Sequence, residues 1–134
     1  MATRKKKVLA VDDDPTALAA LRQILTQKGY EVTTAANGEE ALSLVAAHDF
    51  DLALLDVAMP GLSGYEVCRR IRSEERTKDL PVVFLTAKGT VSDMKEGQVA
   101  GSDLYLVKPV MAARLLAMVG MFLSDEIPLG RKRR

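Results

Sequence analysis

The sequence predicts an α/β fold in which a five-stranded parallel sheet is covered by helices on both faces. Apolar or β-branched segments alternate five times with segments that have helical spacing, and turn residues separate them. Strands that alternate with helices in this way favour parallel pairing. The segment Leu52–Leu55 carries no polar side chain, which is typical of a strand buried on both faces.

Five short segments are predicted to be the strands. Each is an apolar or β-branched run bounded by turn or charged residues. In chain order they are Lys7–Val11, Glu31–Ala35, Leu52–Leu55, Val82–Leu85 and Leu104–Val107.

Each predicted strand is followed by a helix, and four of these helices begin with a capping signal. A side-chain oxygen placed before the first turn pairs with its free N–H groups, and acids in that turn reinforce the signal. The signals are Asp14 before Pro15, Asn37 before two glutamates, Ser63 in a capping-box pattern with Glu66, and Thr90 with Asp93. Gly97 lies within the fourth helix and should weaken it by about 1 kcal/mol relative to alanine.

Apolar side chains at helical spacing predict which face each helix turns to the sheet. In the second helix they are Leu42, Val45 and Ala46. In the last helix, Met111–Leu123, they are Leu115, Met118, Val119 and Phe122. Leu116, Met121 and Leu123 then lie on its other sides. We expect the surface around the last helix to dock a partner or a second copy; alternatively, these side chains pack under residues 127–129.

The composition is that of a folded protein of one domain. The 134 residues are 48% hydrophobic and 28% charged, and the net charge of +1 gives no overall attraction to nucleic acid or membrane. The single cysteine, Cys68, excludes an internal disulfide and a cysteine-based zinc site. No signal peptide or membrane-spanning segment is recognisable, so we expect a cytoplasmic protein.

Residues able to carry chemistry follow four of the predicted strands. Asp12 and Asp13 follow the first strand, Asp56 the third, Thr86 the fourth and Lys108 the fifth. The carboxyl ends of parallel strands meet at one edge of the sheet, so we expect these side chains to lie together. Crowded carboxylates favour a hard cation such as Mg²⁺, and a lysine with a hydroxyl suits a phosphate. Because an aspartate can form an aspartyl-phosphate, the set predicts phosphoryl transfer onto a carboxylate.

The ordered set of motifs resembles the receiver domain of two-component response regulators. The matching segments are residues 11–15 (VDDDP), 55–61 (LDVAMPG), 85–87 (LTA), 101–103 (GSD) and 105–109 (YLVKP). The resemblance extends from about residue 7 to residue 123. It implies a flavodoxin-like (βα)5 fold with the strand order 2-1-3-4-5.

The resemblance also implies a role for each residue in phosphoryl transfer and switching. Asp56 would accept a phosphoryl group from the phosphohistidine of a histidine kinase, and Lys108 would pair with the phosphoryl oxygens. Thr86 would move to hydrogen-bond the phosphate, while Tyr105 would change rotamer. The peptide bond between Lys108 and Pro109 is expected to be cis.

The implied Mg²⁺ site uses the same edge of the sheet. Asp13 would bind the ion directly and Asp12 mainly through water. The carboxylate of Asp56 and the backbone carbonyl of Ala58 would complete the protein ligands. Ala58 and Lys88 also occupy positions that tune dephosphorylation in this family.

Some positions depart from the family pattern. Leu104 replaces a residue that is often polar, and Val110 stands where phenylalanine is usual. Met118 and Met121 lie where DNA-binding members often carry basic residues, which argues against the salt-bridged dimer of those regulators.

We therefore expect a phosphorylation-dependent switch that is a signalling phosphoacceptor rather than an enzyme. The expected partners are a sensor histidine kinase and a downstream effector or output domain, with a homodimer through the last helix as a further option. Neither membrane contact nor direct DNA binding is expected. Residues 1–123 would form the receiver domain, and residues 124–134 a basic tail, either solubilising or the remnant of a linker.

Two alternatives remain at this point. A Mg²⁺-dependent phosphatase could use Asp56 as its nucleophile, but such an enzyme needs a general acid where this chain has Ala58. A receiver-like interaction module would turn over no phosphoryl group and would not require Mg²⁺.

Overall fold

A five-stranded parallel sheet forms the centre of the computed structural model, which describes residues 4–124. The strand order is β2-β1-β3-β4-β5, so the predicted fold class and topology are confirmed. The strands are β1 (Lys7–Val11), β2 (Glu31–Ala35), β3 (Leu52–Leu55), β4 (Val82–Thr86) and β5 (Leu104–Val107). The helices are α1 (Pro15–Gln27), α2 (Gly38–Ala47), α3 (Gly64–Ser73), α4 (Val91–Ala100) and α5 (Ala112–Leu123).

The side chains of the sheet alternate between two apolar layers. In β1, Leu9 and Val11 belong to the layer covered by α2, α3 and α4, whereas Val8 and Ala10 belong to the layer covered by α1 and α5. All four residues of β3 are buried, because this strand lies inside the sheet and has helices on both faces. Cys68 is one of the buried residues of the first layer, as expected.

Side-chain caps begin four of the helices at the predicted positions. Asp14, Asn37 and Ser63 each accept a hydrogen bond from a backbone N–H of the first turn. At α4, Thr90 and Asp93 form a complete capping box. The box predicted at Ser63 is only half formed, because the Glu66 carboxylate accepts from Arg69 and Arg70 instead of reaching back to the cap.

Two predicted helix faces need correction. In α2 the buried positions are Gly38, Ala41 and Val45, and Leu42 is partly buried, while Ala46 is exposed because one step beyond Val45 turns the side chain away by about 100°. In α5, Leu123 is buried and Phe122 only partly so, since residue 123 is four positions after Val119 on the same stripe. Residues 127–129, the alternative cover for this helix, lie outside the described residues.

The register of the sheet places the ends of its central strands side by side. Val11 of β1 pairs with Leu55 of β3, and Thr86 of β4 pairs with Val107 of β5. The residues that follow β1, β3 and β5 therefore meet at one edge. Within the described part of the chain, no helix is long and apolar enough to cross a membrane.

A single arginine braces the opposite edge of the sheet. The Arg72 guanidinium donates to the carbonyls of Gly101, Lys78 and Leu80 at 2.9, 3.1 and 2.6 Å, respectively. It also donates to the Asp103 carboxylate at 2.9 Å, and both side chains of this pair are mostly buried. The end of α3 is thus tied to the segments that lead into β4 and β5.

We expect Arg72→Met to lower the free energy of unfolding by about 2–4 kcal/mol, because it removes the charged donor from a mostly buried carboxylate and from three carbonyls. Arg70→Met is the matched control; Arg70 pairs with Glu66 on the surface, so its loss should cost less than about 1 kcal/mol. Urea unfolding measures both, and equal losses would contradict the proposed brace.

Candidate functional site

Backbone hydrogen bonds of the sheet continue past the strand ends and fix three residues of the predicted site. The N–H of Asp12 donates to Ala35, that of Asp56 to Val11, and that of Lys108 to Thr86. These three main-chain positions are therefore held as firmly as the strands themselves. The Lys108–Pro109 peptide bond is cis, as the resemblance implied.

Three carboxylates gather at this edge. Asp12, Asp13 and Asp56 can each offer one oxygen so that all three atoms lie within 4.8 Å of one another. Asp12 and Asp56 are buried, whereas Asp13 is exposed. Asp14 does not join them, because its carboxylate caps α1 through the N–H of Thr16.

Lys108 supplies the positive charge beside these carboxylates. Its ammonium nitrogen lies 2.6 Å from Oδ2 of Asp12 and 3.8 Å from Oδ2 of Asp56. Burial by itself would lower the pKa of Lys108, but the hydrogen bond to Asp12 and the nearby carboxylate charges raise it overall. The lysine therefore stays protonated at neutral pH and partly neutralises the acidic cluster.

The Asp56 carboxylate is buried, and its neighbours act on its pKa in opposite directions. Burial raises its pKa and the charge of Asp12 adds to this, while the Thr86 hydroxyl and Lys108 oppose the shift. Among the described residues, its Oδ1 atom is the buried side-chain oxygen or nitrogen that has no hydrogen-bond partner. A buried carboxylate oxygen without a donor, next to two further carboxylates, fits a hard divalent cation.

Thr86 and Tyr105 lie at the two ends of a short connection through Lys88. The Thr86 side chain is fully buried, and its hydroxyl oxygen accepts from the backbone N–H of Lys88 at 3.3 Å. The Tyr105 hydroxyl donates to the backbone carbonyl of the same lysine at 2.7 Å. The backbone of Lys88 therefore connects Thr86 to Tyr105.

Two glycines shape the site in ways that the sequence analysis missed. A Cβ atom on Gly64 would lie 2.1 Å from the carbonyl oxygen of Asp56, so α3 can begin against the Asp56 segment only with glycine there. A Cβ atom on Gly97 would lie 2.7 Å from the Tyr105 ring. The glycine in α4, predicted only to weaken the helix, thus makes room for Tyr105. The position of Gly97 inside a helix was the signal in the sequence, but only the structure shows that the Tyr105 ring lies against it.

The comparisons with known proteins agree with this arrangement. Residues 8–120 match the response regulator receiver domain. The chain belongs to this family. Receiver domains bind Mg²⁺ at an acidic pocket, and this chain has an acidic cluster of Asp12, Asp13 and Asp56.

Curated relatives match this receiver domain over most of its length. It is 45% identical over 122 residues to response regulator MprA of Mycobacterium leprae, covering 91% of this chain and 53% of the relative. It is 44% identical over 119 residues to a probable transcriptional regulator, ycf27, of Cyanophora paradoxa, covering 89% and 48%, respectively. The chain thus spans about half the length of these relatives.

Solved structures share the fold. The chemotaxis response regulator CheY4 of Vibrio cholerae superposes with a TM-score of 0.84 at 35% identity, covering 90% of this chain and 100% of that one. The response regulator TrrA of Thermotoga maritima, in complex with Mg²⁺ and BeF, gives 0.78 at 39% identity, covering 88% and 99%.

In the absence of divalent metal, Asp56→Asn is expected to stabilise the receiver domain at neutral pH. The pKa of Asp56 is about 3.9 in the unfolded chain and higher in the folded protein. Between these two values the folded protein holds a proton that the unfolded chain has lost, so the parent loses stability as pH rises through this interval. The asparagine variant lacks this titration.

Urea unfolding of both proteins across a pH series checks this expectation. The advantage of the variant should grow as pH rises above about 4. A difference in the free energy of unfolding that is the same at every pH would show that burial does not raise the pKa of Asp56.

Proposed function

We propose that this receiver domain accepts a phosphoryl group on Asp56 from the phosphohistidine of a sensor histidine kinase. The observation that carries the proposal is the buried Asp56 carboxylate, whose Oδ1 has no protein donor and whose other oxygen faces Lys108 at 3.8 Å. A free lone pair is what a nucleophile needs, and a nearby ammonium suits the charge of an arriving phosphoryl group.

The proposed transfer is a displacement at phosphorus. An oxygen of Asp56 forms a bond to phosphorus while the bond from phosphorus to the imidazole nitrogen breaks, and the imidazole keeps the electron pair and takes up a proton from water. Lys108 then lies beside the new phosphoryl oxygens, since it already lies between Asp12 and Asp56. The Thr86 hydroxyl is the further donor proposed for that group.

Asp12, Asp13 and Asp56 are the proposed side-chain ligands of Mg²⁺, with the backbone carbonyl of Ala58 as a further ligand. The three carboxylates and the unpartnered oxygen of Asp56 support this assignment. When bound, the ion would supply positive charge to the transferred group. The TrrA complex with Mg²⁺ and BeF is consistent with such chemistry in a related receiver domain.

The proposed switch connects Asp56 to Tyr105. Both backbone polar groups of Lys88 are hydrogen-bonded: its N–H donates to the Thr86 hydroxyl, and its carbonyl accepts from the Tyr105 hydroxyl. A phosphoryl group that holds the Thr86 hydroxyl would therefore fix Lys88 as well. We propose that phosphorylation favours the inward position of Tyr105, defined as the one seen here, with its ring against Gly97 and its hydroxyl on Lys88.

The surface that would report this change surrounds α4, β5 and α5. Its exposed apolar side chains are Val91, Met94, Val99, Leu104, Val107, Met111 and Met121. Met118, the other methionine noted on α5, is buried. This surface is the proposed docking site for an effector, an output domain or a second copy.

The rival functions receive less support. Ala58, two residues after Asp56, offers no acidic group for a phosphatase mechanism. The convergence of three carboxylates, Lys108 and a buried threonine has no structural purpose in an inert docking module.

Incubation with acetyl phosphate and Mg²⁺, followed by intact-mass measurement, tests the phosphoacceptor directly. We expect one phosphoryl adduct on the parent, none on Asp56→Asn, and none in the presence of a chelator. Asp14→Asn is the matched control: it changes an exposed aspartate whose carboxylate caps α1 rather than joining the cluster, and asparagine caps helices as well. A parent without an adduct, or an adduct that persists in Asp56→Asn, would refute the proposal.

Mg²⁺ binding is tested by its effect on stability. At 100 times the dissociation constant of the parent, Mg²⁺ should raise the free energy of unfolding by about 2.7 kcal/mol. Asp13→Asn should lose at least about half of this gain, whereas Asp14→Asn should keep it. If the two variants respond alike, Asp13 is not a ligand.

A further inference from the structure

A second tyrosine lies beside the Tyr105 hydroxyl and takes no part in the function proposed above. Tyr65 is the second residue of α3 and is buried. Its hydroxyl lies 3.3 Å from the Tyr105 hydroxyl and 2.9 Å from the backbone carbonyl of Asp93 in α4. The Phe84 ring lies 5.4 Å from the Tyr65 ring and 5.7 Å from the Tyr105 ring, centre to centre. One core side chain therefore positions both tyrosines.

The backbone that carries Tyr65 is held against the segment that carries Asp56, and not against the strand that carries Tyr105. The preceding residue, Gly64, donates its N–H to the Val57 carbonyl at 2.9 Å and packs against the carbonyl of Asp56. The first turn of α3 is therefore seated on the segment that carries Asp56. Tyr105, in contrast, lies on β5, which is the outermost strand on one side of the sheet.

The two hydroxyl groups share two protons among three contacts. The Lys88 carbonyl can only accept, and at 2.7 Å it is the shortest contact, so it takes the Tyr105 proton. The Tyr65 proton is directed mainly at the Asp93 carbonyl, at 2.9 Å, and the Tyr105 oxygen, at 3.3 Å, is a second and longer acceptor for the same proton. Because hydrogen bonds in a chain polarise one another, donation to Lys88 makes the Tyr105 oxygen a better acceptor.

We propose that the Tyr65 hydroxyl is a positioning group that favours the inward position of Tyr105, because it shares its proton between the Asp93 carbonyl and the Tyr105 oxygen. With Tyr105 turned away, the Tyr65 hydroxyl keeps only the Asp93 carbonyl. The bond between the two tyrosines therefore exists in one position of the switch and not in the other, which is the condition for it to bias the equilibrium. This inference rests on the proposed function, since it assumes that a phosphoryl group favours the inward position.

A purely structural role for Tyr65 makes a different prediction. As a tether of α4 alone, it would act through Asp93 whether or not Tyr105 has a hydroxyl. As a positioning group, its effect on phosphoryl-analogue binding would depend on the Tyr105 hydroxyl. Because Tyr→Phe keeps the ring against Phe84, substitutions of this kind separate the two roles without emptying the core.

The test is a cycle of four proteins: the parent, Tyr65→Phe, Tyr105→Phe and the double variant. For each we would measure the apparent dissociation constant of beryllofluoride at a fixed, saturating Mg²⁺ concentration, from the stabilisation that the ligand produces. Tyr65→Phe should weaken binding about two- to fivefold, as expected for one net hydrogen bond between neutral groups. In the Tyr105→Phe background the same change should have almost no effect.

Tyr30→Phe is the matched control, because Tyr30 packs against the other apolar layer and should leave the affinity unchanged. Equal weakening by Tyr65→Phe in both backgrounds, or no weakening in the parent background, would overturn the inference while the parent still forms its phosphoryl adduct. A parent that binds no beryllofluoride and forms no adduct would overturn the proposed function, and this inference with it.

Discussion

The burial of neighbouring carboxylates at one edge of the sheet is the constraint on which the site depends. The carboxylates of Asp12 and Asp56 are buried close together, and burial raises the pKa of Asp56 even though the nearby Lys108 and Thr86 lower it. Burial without full compensation raises the pKa of Asp56 and leaves one of its oxygens without a donor. A carboxylate in that condition gains from anything that brings positive charge or removes its own charge. The unfavourable burial of the Asp56 carboxylate lowers the stability of the folded protein, and it also favours the binding of a cation or the loss of the carboxylate charge.

Much of this arrangement follows from the sequence, because parallel pairing turns spacing along the chain into position. Once each strand was recognised, Asp12 and Asp56 had to be neighbours, since they follow the paired residues Val11 and Leu55, and Lys108 had to lie at the same edge of the sheet. The capping residues were equally predictable, because a cap acts within one turn of its own helix. Local and register-based rules thus account for the core of the site.

The connections between helices were not predictable by such rules. The contact of Tyr65 with Asp93 and Tyr105 depends on how α3 packs against α4, and no periodicity in the sequence encodes that placement. Gly97 was visible as a weak point in α4, but its reason lies in an aromatic ring from β5. The errors at Ala46 and Phe122 have a similar origin: a stripe of apolar residues predicts the direction of a face but not its width.

Arg72 has a consequence for the way in which α4 can move. Its bond to Gly101 anchors the residue that ends this helix, whereas the first turn contacts α3 through the Tyr65 hydroxyl and the middle of the helix through an exposed ion pair between Arg69 and Glu96. A rearrangement that keeps the arginine bonds must therefore pivot about the carboxyl end of α4. The helix has ten residues and is about 15 Å long, so a small rotation at Gly101 becomes a displacement of several ångströms near Lys88. The anchor at Gly101 thus makes α4 a lever whose other end follows the segment that carries Thr86 and Lys88.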